Sequence, residues 1–173
     1  MVTSEIIKEL RELTSCGVME CKKALEESGG DINKAKQILQ QRNADIAVKK
    51  GGREAREGRV EAYIHAGAKI GVMLELNCET DFVAKSEEFG RLSKDIAMHI
   101  AAMNPKYISV NDVPADEIPA GANKEEYCKG VCLLEQPFVK DPKLTVKNCI
   151  TNLVGKIGEN VQVGRFVRYK VSE

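Results

Sequence analysis

The chain has 173 residues, 43% of them hydrophobic and 30% charged, with 26 basic side chains against 26 acidic ones. Those proportions suit one folded domain with at most a small added module, and they exclude a disordered or membrane-embedded chain. A balance of zero formal charge argues against a direct nucleic-acid partner, because counterion release rewards a basic surplus, and no stretch approaches the roughly 18 apolar residues that cross a bilayer.

The opening residues Met1-Val2-Thr3-Ser4-Glu5 lack a basic segment followed by an apolar run, so no signal peptide is expected. Six cysteines without an export signal point to free thiols in a reducing compartment, and the expected location is cytoplasmic.

From Glu5 to about Ala47 the periodicity is helical. Ile6, Ile7, Leu10 and Leu13 gather on one helix face, Thr14-Ser15-Cys16-Gly17 interrupts the pattern, and Val18, Cys21 and Leu25 begin a second stripe. Gly29-Gly30 can end that helix in the left-handed conformation, and Asp31 can cap a third helix carrying Ile32, Ala35, Ile38 and Leu39. Three short helices have little core of their own, which fits a docking module over residues 1–48. The segment KKGGREAREGR, residues 49–59, has three glycines and one alanine as its only apolar side chain, and reads as a linker. Its five basic residues lack the aromatic interleaving of a nucleic-acid surface.

Beyond the linker the period changes to two. Val60, Ala62 and Ile64 alternate with polar residues, Gly67-Ala68-Lys69 turns the chain, and Ile70, Val72, Leu74 and Leu76 alternate again, as in a hairpin with one buried face. Phe89, Leu92, Ile96 and Ile100 define a helix that Asn104-Pro105 ends, followed by a weak strand at Tyr107–Val110 and a proline-bearing loop from Asn111 to Gly121. Asn123 and Glu126 have the spacing of a capping box for a short helix with Tyr127, Val131 and Leu134, stopped by Pro137. Thr145 caps a strongly amphipathic helix through Ile157, and a last strand places Val161, Val163, Val167, Tyr169 and Val171 on one face. The class is α+β: a three-helix N-terminal module and then, over residues 60–173, a core with an antiparallel sheet packed against helices.

Chemistry is scarce. His65 and His99 have no serine or cysteine in a nucleophile setting, the cysteine spacings do not match zinc or redox pairs, and no phosphate-cradling glycine loop follows a strand. No catalytic residue, metal or cofactor is expected, and the chain reads as no enzyme. The anomaly is Asn77-Cys78-Glu79-Thr80-Asp81-Phe82-Val83, where an apolar strand runs into polar residues and then, before the next helix, into Phe82 and Val83. It suits a strand-to-helix connection in which Thr80 or Asp81 caps and Phe82 folds back as an anchor. The other reading is a loop tip that offers Asp81 and Phe82 to a partner, since loops on rigid scaffolds carry recognition.

At this loop the sequence resembles the elongation factor Ts family. LELNCETDFVAK, Leu74 to Lys85, is similar to that family's signature; ELRELTSCGVMECKKALEESGGDINKA resembles its N-terminal module, similar in fold to ubiquitin-associated domains; and GKIGENVQVGRFVRY, Gly155 to Tyr169, resembles its closing helix and strand. Thr14-Ser15-Cys16-Gly17 stands where the family usually has Thr-Gly-Ala-Gly, and Gly164 stands where arginine is common. The length resembles the short form, with one core unit where long members have two. The resemblance implies a guanine nucleotide exchange factor for elongation factor Tu, acting on its GDP-bound and nucleotide-free states without nucleic acid or membrane, and a homodimer. It also implies partner contacts at Arg11, Val18 and Met19 on the module and at Thr80, Asp81, Phe82 and Val83 on the core. A non-catalytic adaptor with a small helical module is the alternative, ahead of an RNA-associated ribosomal factor, which the neutral charge opposes, and a thiol enzyme, which the cysteine spacing opposes.

Overall fold

Two hydrophobic clusters organise the chain, one in the helical module and one between the sheet and two long helices. The structure is a computed structural model describing residues 2–14, 16–119 and 121–172. Ser15 of the expected first turn and Ala120 of the expected proline-bearing loop lie outside the described residues.

Helices α1 (Ser4–Thr14), α2 (Val18–Glu27) and α3 (Ile32–Lys50) form the module around Leu10, Cys21, Ala24, Leu25, Ala35 and Leu39. Gly29 and Gly30 take left-handed φ of 68° and 90° and close α2 with bonds from Gly30 N–H to Leu25 O (2.8 Å) and Gly29 N–H to Glu26 O (3.3 Å). Asp31 accepts from the Lys34 N–H at 3.0 Å and starts α3. That helix does not stop where the module core ends: Ile46 and Ala47 pack against the larger cluster, and the Asn43 amide donates to Asn152 Oδ1 at 3.4 Å.

The core follows with β1 (Glu57–Ile64), β2 (Ile70–Cys78), α4 (Asp81–Ala84), α5 (Glu87–Met103), α6 (Lys124–Val131), a small hairpin of β3 (Pro137–Phe138) and β4 (Asp141–Thr145), α7 (Val146–Ile157) and β5 (Val161–Lys170). Strands β1, β2 and β5 make an antiparallel sheet in the order β1-β2-β5. Its inner face, Val72, Leu74, Leu76 and Cys78, shares a cluster with Phe89, Ile96 and Ile100 of α5 and Val146, Ile150, Leu153 and Val154 of α7. A sheet with helices on one face is the expected α+β arrangement.

The two strands of the first hairpin do not bury the same apolar set. Directly opposed residues share a face, and Ala62 opposes Met73 while Tyr63 opposes Val72, so β1 turns Val60, Ala62 and Ile64 outward. In β5 a bulge opposite Glu75 and Leu76 inserts Gly164, so Val161 and Val163 face inward but Val167 and Tyr169 outward. The reading of a single buried hairpin face, and of one shared face along β5, is corrected accordingly.

Three smaller expectations also change. Tyr107 makes one bridge to Cys132 rather than starting a strand, and a 3-10 turn follows at Val110–Asp112. Asn123 caps α6 through the Glu125 N–H at 2.9 Å, without the reciprocal bond from Glu126. That helix ends at Val131, well before Pro137, because Cys132 leaves helical geometry.

Candidate partner-binding site

The end of β2 sets the site. Its ladder with β5 closes on the pair Cys78 and Val161, so the turns at residues 79–80 and 159–160 emerge side by side. Thr80 takes an extended backbone and caps α4, its Oγ1 accepting from the Val83 N–H at 3.4 Å. The Thr80 hydroxyl in turn donates to Glu159 Oε1 at 2.7 Å and its N–H to Glu159 Oε2 at 3.1 Å. Glu79 reaches the other way, accepting from the Asn160 N–H at 2.6 Å and from Arg53 at 3.4 Å. The Asn160 bond, with the Arg53 charge behind it, holds the Glu79 carboxyl below its usual range.

On this base α4 is a single turn with two unlike sides. Val83 and Ala84 are each only 8% exposed and belong to the core, whereas Phe82 is 81% exposed. Asp81 is also exposed and pairs with Lys85 four residues on at 2.7 Å. The hydrogen bond from Lys85, and then its charge, keep Asp81 ionised below the usual carboxylate range and raise Lys85. The cap reading of Thr80 therefore holds, while Phe82 does not fold back as an anchor.

The remaining expected contact residues sit on the module. Arg11 is exposed in the last turn of α1, and Val18 and Met19 open α2 with 51% and 63% exposure. Arg11 lies near enough to act on the Cys21 thiol, opposing the rise that burial causes. One set of residues thus belongs to the helical module and the other to the core, with Val83 turned inward. Sequence reading missed the supports of the turn, Glu159, Asn160 and Arg53; their partners lie 26 to 107 residues away in sequence, beyond the reach of any local pattern.

Burial raises the thiols of Cys21 and Cys78, and pushes Cys149 up to about 11 and Cys132 to about 12, which keeps these four protonated near neutral pH. His99 is fully buried in a structural bond to Gln136.

The family model "Elongation factor TS" matches residues 3–125 and 117–173. The chain belongs to the elongation factor Ts family. It is 48% identical over 196 aligned positions to elongation factor Ts of Carboxydothermus hydrogenoformans, covering all of this chain and 90% of the relative. Against elongation factor Ts of Thermodesulfovibrio yellowstonii identity is 50%, covering 99% of this chain and 97% of that one. A third elongation factor Ts, from Caldanaerobacter subterraneus subsp. tengcongensis, is 45% identical across 98% of its length. Membership makes this chain a nucleotide exchange factor of translation elongation, with elongation factor Tu as its partner, in preference to a generic adaptor. Among the described residues no helix is long and apolar enough to cross a membrane.

Proposed function

We propose that residues 1–48 dock on the GTPase domain of elongation factor Tu in its GDP-bound state, and that Asp81 and Phe82 then intrude on the groups holding magnesium and the phosphates, so that GDP leaves. The single observation that carries this is Phe82 standing 81% exposed on a turn whose next two residues are buried. An aromatic displayed on a rigid base is the kind of contact that dominates interfaces. Arg11, Val18 and Met19 supply the docking contacts, Thr80 holds the intruding pair, and Val83 seats the turn on the core. The factor acts by binding the nucleotide-free partner better than the nucleotide-bound one, and linkage makes factor and GDP each weaken the other. No bond is made or broken, no cofactor is needed, and the setting is the cytoplasm.

The working unit is a homodimer of the core domain, residues 60–173, joined to the module by the segment 49–59, which takes in the last residues of α3 and the first of β1. Its support is the outer sheet face, where Val60, Ile64, Met73, Val167 and Tyr169 lie exposed on three adjacent strands in register. A second copy of the same face covers it symmetrically.

The test is release of a fluorescent GDP from elongation factor Tu. Added chain accelerates release in proportion to its concentration until saturation; unaltered release with an intact fold rejects the reading.

A further inference from the structure

The turn bearing Phe82 cannot hold its own shape. At four residues α4 is one helical turn, below the length at which a helix sustains itself, and Phe82 is too exposed to contribute packing to it. Val83 and Ala84 fix where the turn sits, and the orientation of Asp81 and Phe82 comes from what binds residues 79 and 80. Two carboxylates do so crosswise: Glu159 takes both donors of Thr80, and Glu79 takes the N–H of Asn160, the residue next to Glu159. The last ladder pair, Cys78 with Val161, delivers the two turns to this meeting. Asn160, 5% exposed, adds a third strand of chain by donating from Nδ2 to Arg53 O at 2.7 Å, while the Arg53 side chain returns to Glu79.

We propose that Glu79 and Glu159 are positioning residues for nucleotide exchange, their crossed hydrogen bonds orienting the Asp81–Phe82 turn against the α7–β5 turn. This rests on the reading of Phe82 as the intruding contact. Neither carboxylate needs to touch the partner. Each binds backbone N–H groups with its charge, the stronger kind of hydrogen bond, and each serves the turn that carries the other. A simple solvated connection between β2 and α5 has no use for the Glu159 bonds, because water would satisfy the exposed Thr80 equally well.

The experiment compares full-length Glu159→Gln, Glu79→Gln, Phe82→Ala and the double variant Glu159→Gln with Phe82→Ala, in release of fluorescent GDP from elongation factor Tu and in amide hydrogen exchange of the free protein. Glu159→Gln is expected to speed exchange of the Thr80 and Val83 amides about tenfold while β2 amides keep their protection, as loss of a charged hydrogen bond predicts. Its maximal release rate falls about tenfold, with the half-saturating concentration unchanged within about twofold because docking is intact. Added to Phe82→Ala it costs less than it does alone, since only Asp81 is left to orient. Thr80→Val removes the hydroxyl both as donor to Glu159 and as cap of the Val83 N–H and gives a loss of the same kind, which keeps the test open if Glu159→Gln folds poorly. Unchanged amide exchange and release rate in Glu159→Gln and Glu79→Gln overturn the proposal, as does an equal loss in the Phe82→Ala background. Wild-type release by a folded Phe82→Ala would bring down the intruding-contact reading itself, a result distinct from both.

Discussion

Phe82 and His99 show how one side chain is read by where its loss would register. Phe82 is 81% exposed, so truncation to Ala removes little packing from the free protein, and its stability stays within about 0.5 kcal/mol, as for other exposed positions. On the proposed reading the same change removes from the complex an aromatic contact for which about 2 kcal/mol or more is typical, equivalent to a loss of tens of fold in exchange efficiency. Thermal unfolding measured beside labelled GDP release separates the two. His99 is the opposite case, fully buried on α5. Its Nδ1 accepts from the Val139 N–H at 3.2 Å, so Nε2 carries the proton toward Gln136 Oε1 at 3.0 Å, and Gln136 donates on to Gly130 O at 2.8 Å. Burial lowers the pKa of His99, with the Gln136 bond opposing in part. The unfolded chain therefore binds its proton first, near the ordinary histidine value of about 6.5. Stability from this joint is complete above that value and declines as pH falls from there through the lower native value. Melting temperatures taken from pH 7.5 to 5 should fall, and His99→Gln should flatten the slope, by at most one proton, across that window.

At the scale of elements, the decisive contact is α3 against α7. An ideal Cβ on Gly155 would lie 2.1 Å from Asn43 Oδ1 and 2.8 Å from Asn43 Cβ, closer than atoms pack. Gly155→Ala should cost about 1–3 kcal/mol by forcing the helices apart. Asn43→Ala in the same chain should recover only part of it, because the Asn43 Cβ itself is too near; chemical denaturation checks both. This contact was not legible in the sequence, where Gly155 and Asn43 are 112 residues apart and neither breaks a pattern. What could be read were features with local causes: Asp31 and Thr145 as caps, Gly29-Gly30 as a stop, and the apolar stripe of α7. Alternation located β1 and β5 but gave the wrong inner face for Val60, Ala62, Ile64 and Val167, since facing is decided by register and by the bulge at Gly164. The hairpin β3–β4 escaped because Pro137–Phe138 and Asp141–Thr145 are too short for any period. At the site, polar interruption of β2 exposed Asp81 and Phe82 as anomalous, while Glu159 and Arg53 became visible only through the fold.

For the whole molecule, the sheet has helices on its inner side and, among the described residues, none on the outer side where Met73 and Tyr169 stand 52% and 70% exposed. Met73 faces Ala62 and Val167 on its two neighbours, at the middle of that surface. Met73→Lys combined with Tyr169→Glu should convert the proposed dimer to a monomer in sedimentation at micromolar concentration, with the inner core intact because neither side chain enters it. The two functional surfaces are joined differently, through α3. Its first half, with Ala35 and Leu39, is locked into the module, and its second half, with Asn43, Ile46 and Ala47, is locked against the core. A continuous helix is an angular ruler as well as a spacer. One alanine inserted between Gln41 and Arg42 would lengthen it by only about 1.5 Å but swing the proposed docking face about 100° around its axis, so that, on the proposed reading, Val18 and Met19 would point away from the partner that Phe82 meets. Seven inserted residues bring the angle back to within about 20° while moving the module about 10 Å outward, and GDP release by the two insertions would show whether azimuth or reach governs the grip.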